Sequence, residues 1–133
     1  METKRWKTSR TAVYNVGFHI IWCPKYRRKV LTGHVENRLK ELLYEKAEAI
    51  GVTIKSLEVM PDHVHLFVKA SPADAPHWVV QQFKGYTSRI LRQEFQSLRS
   101  RLPTLWTRSY YLETVGNISQ ETIERYIENQ KKV

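Results

Sequence analysis

Two histidines one residue apart, in Met60-Pro61-Asp62-His63-Val64-His65-Leu66, are the residues best placed to do chemistry. On a strand, residues two apart project to the same side. Both imidazoles then face one way, while Val64 and Leu66 face the core. Two co-facial imidazoles at that spacing can share one divalent ion. The pattern reads equally as two surface histidines, and the pair alone does not separate the two. Asp62 can orient a ligating imidazole from behind, and it also suits an ordinary turn. Glu58 reads as a solvated strand residue close by.

A second group lies near the C-terminus, in Tyr126-Ile127-Glu128-Asn129-Gln130. Tyr126 and Gln130 are four apart and stack on one face of a helix. A phenol has an ordinary pKa of about 10. It becomes a nucleophile only when something stabilises its oxyanion or takes its proton, and a nearby cation can do the first. A Gln side-chain oxygen is a neutral, hard donor that suits Mg²⁺ or Mn²⁺. Two His and one Gln can therefore hold an ion and leave positions open for phosphate oxygens. Ile123, Tyr126, Ile127 and Gln130 also fit one amphipathic stripe, and periodicity by itself favours packing.

The elements that must position these residues follow from patterning. Residues 13–22 are β-branched and aromatic and read as a strand that Cys23-Pro24 ends. Val35, Leu39, Leu42, Leu43, Ala47 and Ile50 fall at helical steps, with Gly51 as the stop. Residues 52–60 and 63–69 read as strands joined by a Pro61-Asp62 turn. Asp74 is placed to cap the next helix, whose stripe of Val79, Phe83, Tyr86, Ile90 and Leu91 extends to about Leu98. Residues 99–108 read as a loop and 110–115 as a fourth strand. Gly116-Asn117 follow as a break, and Ser119 starts a capping pattern for a last helix to about Lys131. The order β-α-β-β-α-β predicts an α+β, ferredoxin-like (RRM-like) antiparallel sheet with an appended C-terminal helix. Its helices lie on one face, and the other is left for a ligand, a partner or the last helix.

The chain has 133 residues and a formal net charge of +9. That length suits a single domain over residues 1–133, with 1–11 as a loose basic arm, and excludes a TIM barrel, which takes about 250 residues. One cysteine rules out an intrachain disulfide and a Cys-only zinc site. Apolar runs fall far short of a membrane span. The N-terminus lacks the apolar stretch of a secretory signal, so the expected location is the cytoplasm. The basic excess points to a polyanion, with nucleic acid ahead of an anionic membrane. Lys25, Arg27, Arg28 and Lys29 around Tyr26 suit single-stranded or hairpin DNA, charges following phosphates and an aromatic stacking on bases. Lys84 is within the same expectation of a phosphate contact. Arg89, Arg92, Arg99, Arg101 and Arg108 form a second basic set, and His19, His34 and His77 read as structural or surface residues.

Four segments in order, Trp22-Cys23-Pro24-Lys25-Tyr26-Arg27, Met60 through Leu66, Phe83-Lys84-Gly85, and Tyr126 through Gln130, resemble a known family. It is the single-tyrosine HUH transposases of small insertion sequences that move as single-stranded DNA, HUH denoting His, bulky apolar residue, His. The likeness spans about residues 13–131. It implies His63, His65 and Gln130 as ligands of Mg²⁺ or Mn²⁺ and Tyr126 as nucleophile. It implies strand cleavage and rejoining through a 5′-phosphotyrosine, and recognition of hairpins at element ends. It also implies a nucleoid-associated homodimer in which the tyrosine helix completes the partner's site; the 99–109 loop and Gly116-Asn117 before the helix are the places in this sequence expected to allow such an exchange. Three other readings compete. A domesticated relative would act on chromosomal repeats. A ferredoxin-like binding module would hold nucleic acid without cutting. A metal hydrolase would use water, release free 5′-phosphate and be indifferent to Tyr126→Phe.

Overall fold

Alternation along β1, Asn15–Trp22, divides its side chains between two faces. Phe18, Ile20 and Trp22 are buried at 2% exposure or less, and His19 and Ile21 point the opposite way. The computed structural model describes residues 15–118; the basic arm 1–11, the Ser119 cap and the terminal helix with Tyr126 and Gln130 lie outside the described residues. After β1 come α1 (Gly33–Ile50), β2 (Thr53–Met60), β3 (His63–Ala70), α2 (Pro76–Glu94), a short α3 (Gln96–Ser100) and β4 (Tyr111–Ile118). The sheet order is β2-β3-β1-β4 with every neighbouring pair antiparallel. That is the predicted ferredoxin-like arrangement.

Each element follows from local signals. Leu39, Leu42, Leu43, Ala47 and Ile50 make the buried stripe of α1. Gly51 ends the helix at φ 77, a left-handed conformation in which its N–H donates to the Ala47 and Glu48 carbonyls. On β3, Val64, Leu66, Val68 and Ala70 are fully buried. They pack with Phe18, Ile20 and Trp22 under the stripes of α1 and α2 as one hydrophobic core. Among the described residues no helix is long and apolar enough to cross a membrane.

Four local expectations are corrected. Asp74 does not cap α2: its Oδ2 accepts the Ser71 N–H at 3.0 Å, closing a turn, and Ala75 is the residue at the cap. The helix does not reach Leu98. It stops at Glu94, where Phe95 is extended (φ −122, ψ 102). Part of the expected loop is then helical as α3, which buries Leu98. Arg92 donates to the Leu98 and Leu102 carbonyls and Arg99 to the Arg92 carbonyl, so these two cations stabilise the break. Gly116 and Asn117 lie inside β4, not after it, because pairing with β1 continues to Asn15↔Ile118 past a bulge.

The connection from α3 to β4 is docked on α2. Trp106, at 6% exposure, stacks edge-on against Trp22 at 5.8 Å, and its Nε1 donates to the Thr87 hydroxyl at 3.0 Å. Thr87 in turn donates to the Phe83 carbonyl at 2.8 Å. Replacing Thr87 by Val keeps the shape and leaves the buried indole N–H unpaired. We expect a loss of about 1–3 kcal/mol in urea unfolding, the usual cost of an orphaned buried donor.

Candidate active site

The two-residue turn of the β2–β3 hairpin sets the site. Met60 pairs with His63, Glu58 with His65, and Ile21 of β1 with His65 from the other side. With Val64 and Leu66 fixed in the core, both imidazoles must emerge on the face away from the helices. Their ring centroids are 5.2 Å apart and tilted by 58°. His63 Nδ1 lies 2.8 Å from Asp62 Oδ1, and Asp62 Oδ2 accepts from Arg27 Nη2 at 2.9 Å. An imidazole whose Nδ1 is occupied in this way keeps Nε2 for another partner. The bond from His63, and then the charge of Arg27, hold the Asp62 carboxyl below its ordinary range.

His65 has a different setting. Its ring is 5.4 Å from that of His19, edge to face, and His19 Nδ1 is 3.8 Å from Glu113 Oε1. Burial, then the neighbouring His63, lowers the His65 pKa, with Glu58 opposing. Burial, then His65, lowers that of His19, with Glu113 opposing. Both rings are thus biased to the neutral form that donates to a cation. His19, read from sequence as structural or surface, is a buried wall of this patch. The signal was available in the alternation of β1, which puts His19 and Ile21 on the face opposite Phe18 and Ile20. A cleft of about 320 Å³ adjoins the patch, lined by Ile21, Cys23, Tyr110 and Tyr111 among others.

The basic loop sits at the same end of the sheet. Lys25–Arg27 form a 3-10 turn, with Tyr26 at φ 60 and Arg27 at φ 51. The Tyr26 ring is 64% exposed, with the Lys25 ammonium 5.5 Å and the Arg28 guanidinium 6.0 Å from its centroid. Lys84, expected at a phosphate, is elsewhere engaged. Its ammonium is buried and donates to the Thr107 carbonyl at 2.6 Å and to those of Arg108 and Ser109 at 3.3 and 3.4 Å. Its pKa is lowered by burial. The pairing of an α2 lysine with a distant loop leaves no mark in local sequence. His77, on the same side of α2, bonds the Tyr110 hydroxyl at 2.7 Å.

Among the described residues no group of three or more His, Cys, Asp and Glu is set to hold an ion. The imidazole pair fits two positions of a divalent site, and the third expected ligand, Gln130, lies outside the described residues with Tyr126.

The sequence matches the family described as Transposase IS200 like over residues 12–130. The chain belongs to the IS200-like transposase family. It is 39% identical over 126 residues to the ISDra2 transposase TnpA of Deinococcus radiodurans, covering 93% of this chain and 90% of that one. It is 29% identical over 119 residues to the transposase for insertion sequence element IS200 of Salmonella typhimurium, covering 88% and 78%. A crystal structure of a Deinococcus radiodurans protein assigned as a transposase superposes with a TM-score of 0.76 at 37% identity, covering 94% of this chain and 98% of that chain. A REP-associated tyrosine transposase bound to a REP hairpin shares the fold, with a TM-score of 0.61 at 13% identity over 97% and 67% of the two chains. The resemblance to transposases of small insertion sequences therefore stands, and the class of activity is DNA transposition, a form of DNA recombination.

Titration of the patch gives a measurable sign. His19 and His65 have folded pKa values below the ordinary value of about 6.5. Between the two values the unfolded chain binds more protons, so stability rises with pH there. Their contribution is full above about pH 6.5 and is lost as pH falls through the lowered folded values. Urea unfolding from about pH 7.5 down to about pH 5 should fall less steeply in His19→Gln and in His65→Gln than in the parent. Identical slopes in all three proteins would contradict the burial assigned to these rings.

Proposed function

We propose that this transposase cuts and rejoins single-stranded DNA by transesterification at Tyr126, beside a Mg²⁺ or Mn²⁺ ion held by His63, His65 and Gln130. The observation that carries this is the co-facial imidazole pair with His63 Nδ1 already engaged by Asp62 at 2.8 Å. When bound, the ion polarises the scissile phosphate and steadies the leaving oxygen. The Tyr126 oxygen attacks phosphorus and loses its proton, and the bond from phosphorus to the 3′ oxygen breaks. That oxygen leaves as a 3′-OH, and the other strand end stays on the protein as a 5′-phosphotyrosine. The number of phosphoester bonds is unchanged, so a later 3′-OH can reverse the step without ATP. Water as nucleophile would give a break that needs an energy source to close.

The DNA path in this reading runs along the loop. Lys25, Arg28 and Lys29 follow phosphates, Arg27 lies among them, and Tyr26 offers a stacking face. Lys84 supports the path only indirectly, by holding residues 107–109 against α2. Recognition of hairpins at element ends is supported by the neighbour of the same fold that carries a REP hairpin. The family resemblance supports a homodimer whose tyrosine helix completes the site of the other copy, in a cytoplasmic, nucleoid-associated protein.

Incubation of a hairpin-bearing single strand with Mg²⁺ or Mn²⁺ should give a protease-sensitive covalent adduct on a denaturing gel. We expect Tyr126→Phe and chelation by EDTA each to abolish the adduct and the cut. Cleavage by Tyr126→Phe with free 5′-phosphate ends would instead identify a hydrolase. Dimer architecture is tested separately by mixing Tyr126→Phe subunits with His63→Ala, His65→Ala subunits. Assembly in trans predicts one restored site per heterodimer, and mixtures as inactive as their parents would overturn it.

A further inference from the structure

We infer that Arg27 is a positioning residue which, through Asp62, fixes the His63 imidazole with Nδ1 engaged and Nε2 kept for the ion. The inference rests on the metal reading above and assigns to one residue of the basic loop a task other than holding DNA. The chain of contacts is continuous: Arg27 Nη2 to Asp62 Oδ2 at 2.9 Å, then Asp62 Oδ1 to His63 Nδ1 at 2.8 Å. Asp62 thus spends one oxygen on each partner. A carboxylate held at both oxygens cannot rotate away from the imidazole, so the neutral ring keeps its proton on Nδ1 and its lone pair on Nε2.

The backbone is arranged to make that reach. Tyr26 and Arg27 are consecutive non-glycine residues in the left-handed region, at φ 60 and φ 51. Such a conformation persists where the surroundings over-determine it, and it clusters at functional sites. Here both ends are tied. The Arg27 N–H donates to the Pro24 carbonyl at 2.8 Å and the Lys25 N–H to that of Leu105 at 2.7 Å. Beyond the turn, the Leu31 N–H donates to the Pro61 carbonyl at 3.0 Å, which anchors the loop to the very turn that holds Asp62. Stability does not explain the arrangement, since the Arg27 side chain is 67% exposed and an exposed ion pair contributes little. Lys25, Arg28 and Lys29 already supply charge for phosphates without contacting Asp62.

The test uses the full chain and Mn²⁺ alone as probe. Mn²⁺ affinity is measured by calorimetry, and the His63 tautomer by ¹⁵N shifts in the metal-free protein. Binding of a hairpin strand in EDTA is followed against salt. Asp62→Asn should weaken Mn²⁺ binding by about 10-fold or more, as partners behind a ligand do. Arg27→Gln should weaken it about threefold or more, shift His63 away from the Nδ1–H tautomer, and leave the salt slope of DNA binding unchanged, with Arg27→Lys restoring part of both losses. Parent-like Mn²⁺ affinity and tautomer in Arg27→Gln, with a salt slope smaller by about one phosphate contact, would make Arg27 a plain DNA contact and overturn the inference. The underlying reading is checked apart from it: His63→Ala must lose Mn²⁺ binding. If His63→Ala binds Mn²⁺ like the parent, the ion lies elsewhere, and the inference falls with the site.

Discussion

The rest of the structure depends on the register of β3. It is an inner strand, paired along its length with β1 and β2, and every second side chain is locked into the core. A slip of one residue would carry His63 and His65 inside and Val64 and Leu66 out. The burial of Val64, Leu66, Val68 and Ala70 makes that slip prohibitive. The position of the imidazoles is thus a by-product of hydrophobic packing on the opposite face.

Around that fixed strand the supports are unequal. His63 is tethered by an anion and a guanidinium from an exposed loop, while His65 is walled by a second imidazole. The helical layer contributes at a distance. Lys84 and Thr87 of α2 pin residues 106–109, and β4 starts only two residues later, at Tyr111. Tyr111 then flanks His19, ring to ring, at 6.1 Å.

The element order and the face of the histidines were legible in the sequence because both are short-range patterns. Steps of three and four gave α1, and alternation gave β1 and β3. What escaped was decided by contacts between remote segments. Phe95 breaks α2 without a Gly or Pro, since the turn after it is held by Arg92 and Arg99 bonding carbonyls. Gly116-Asn117 has the composition of a stop and yet is carried on by pairing with β1. Lys84 looks like any helical cation until Thr107, Arg108 and Ser109 turn three carbonyls toward it. Arg27 belongs to a basic run in sequence and to a carboxylate 35 residues away in space.

The division of β3 by parity has a consequence for how damage accumulates in this gene product. A lesion at Val64 or Leu66 reveals itself as poor expression or early melting, whatever it does to recombination. A lesion at His63 or His65 removes a candidate ligand and leaves the buried face of the strand as it was. Loss of the imidazole pair can therefore pass without loss of the fold, and a copy that keeps the even positions of β3 need not keep its chemistry.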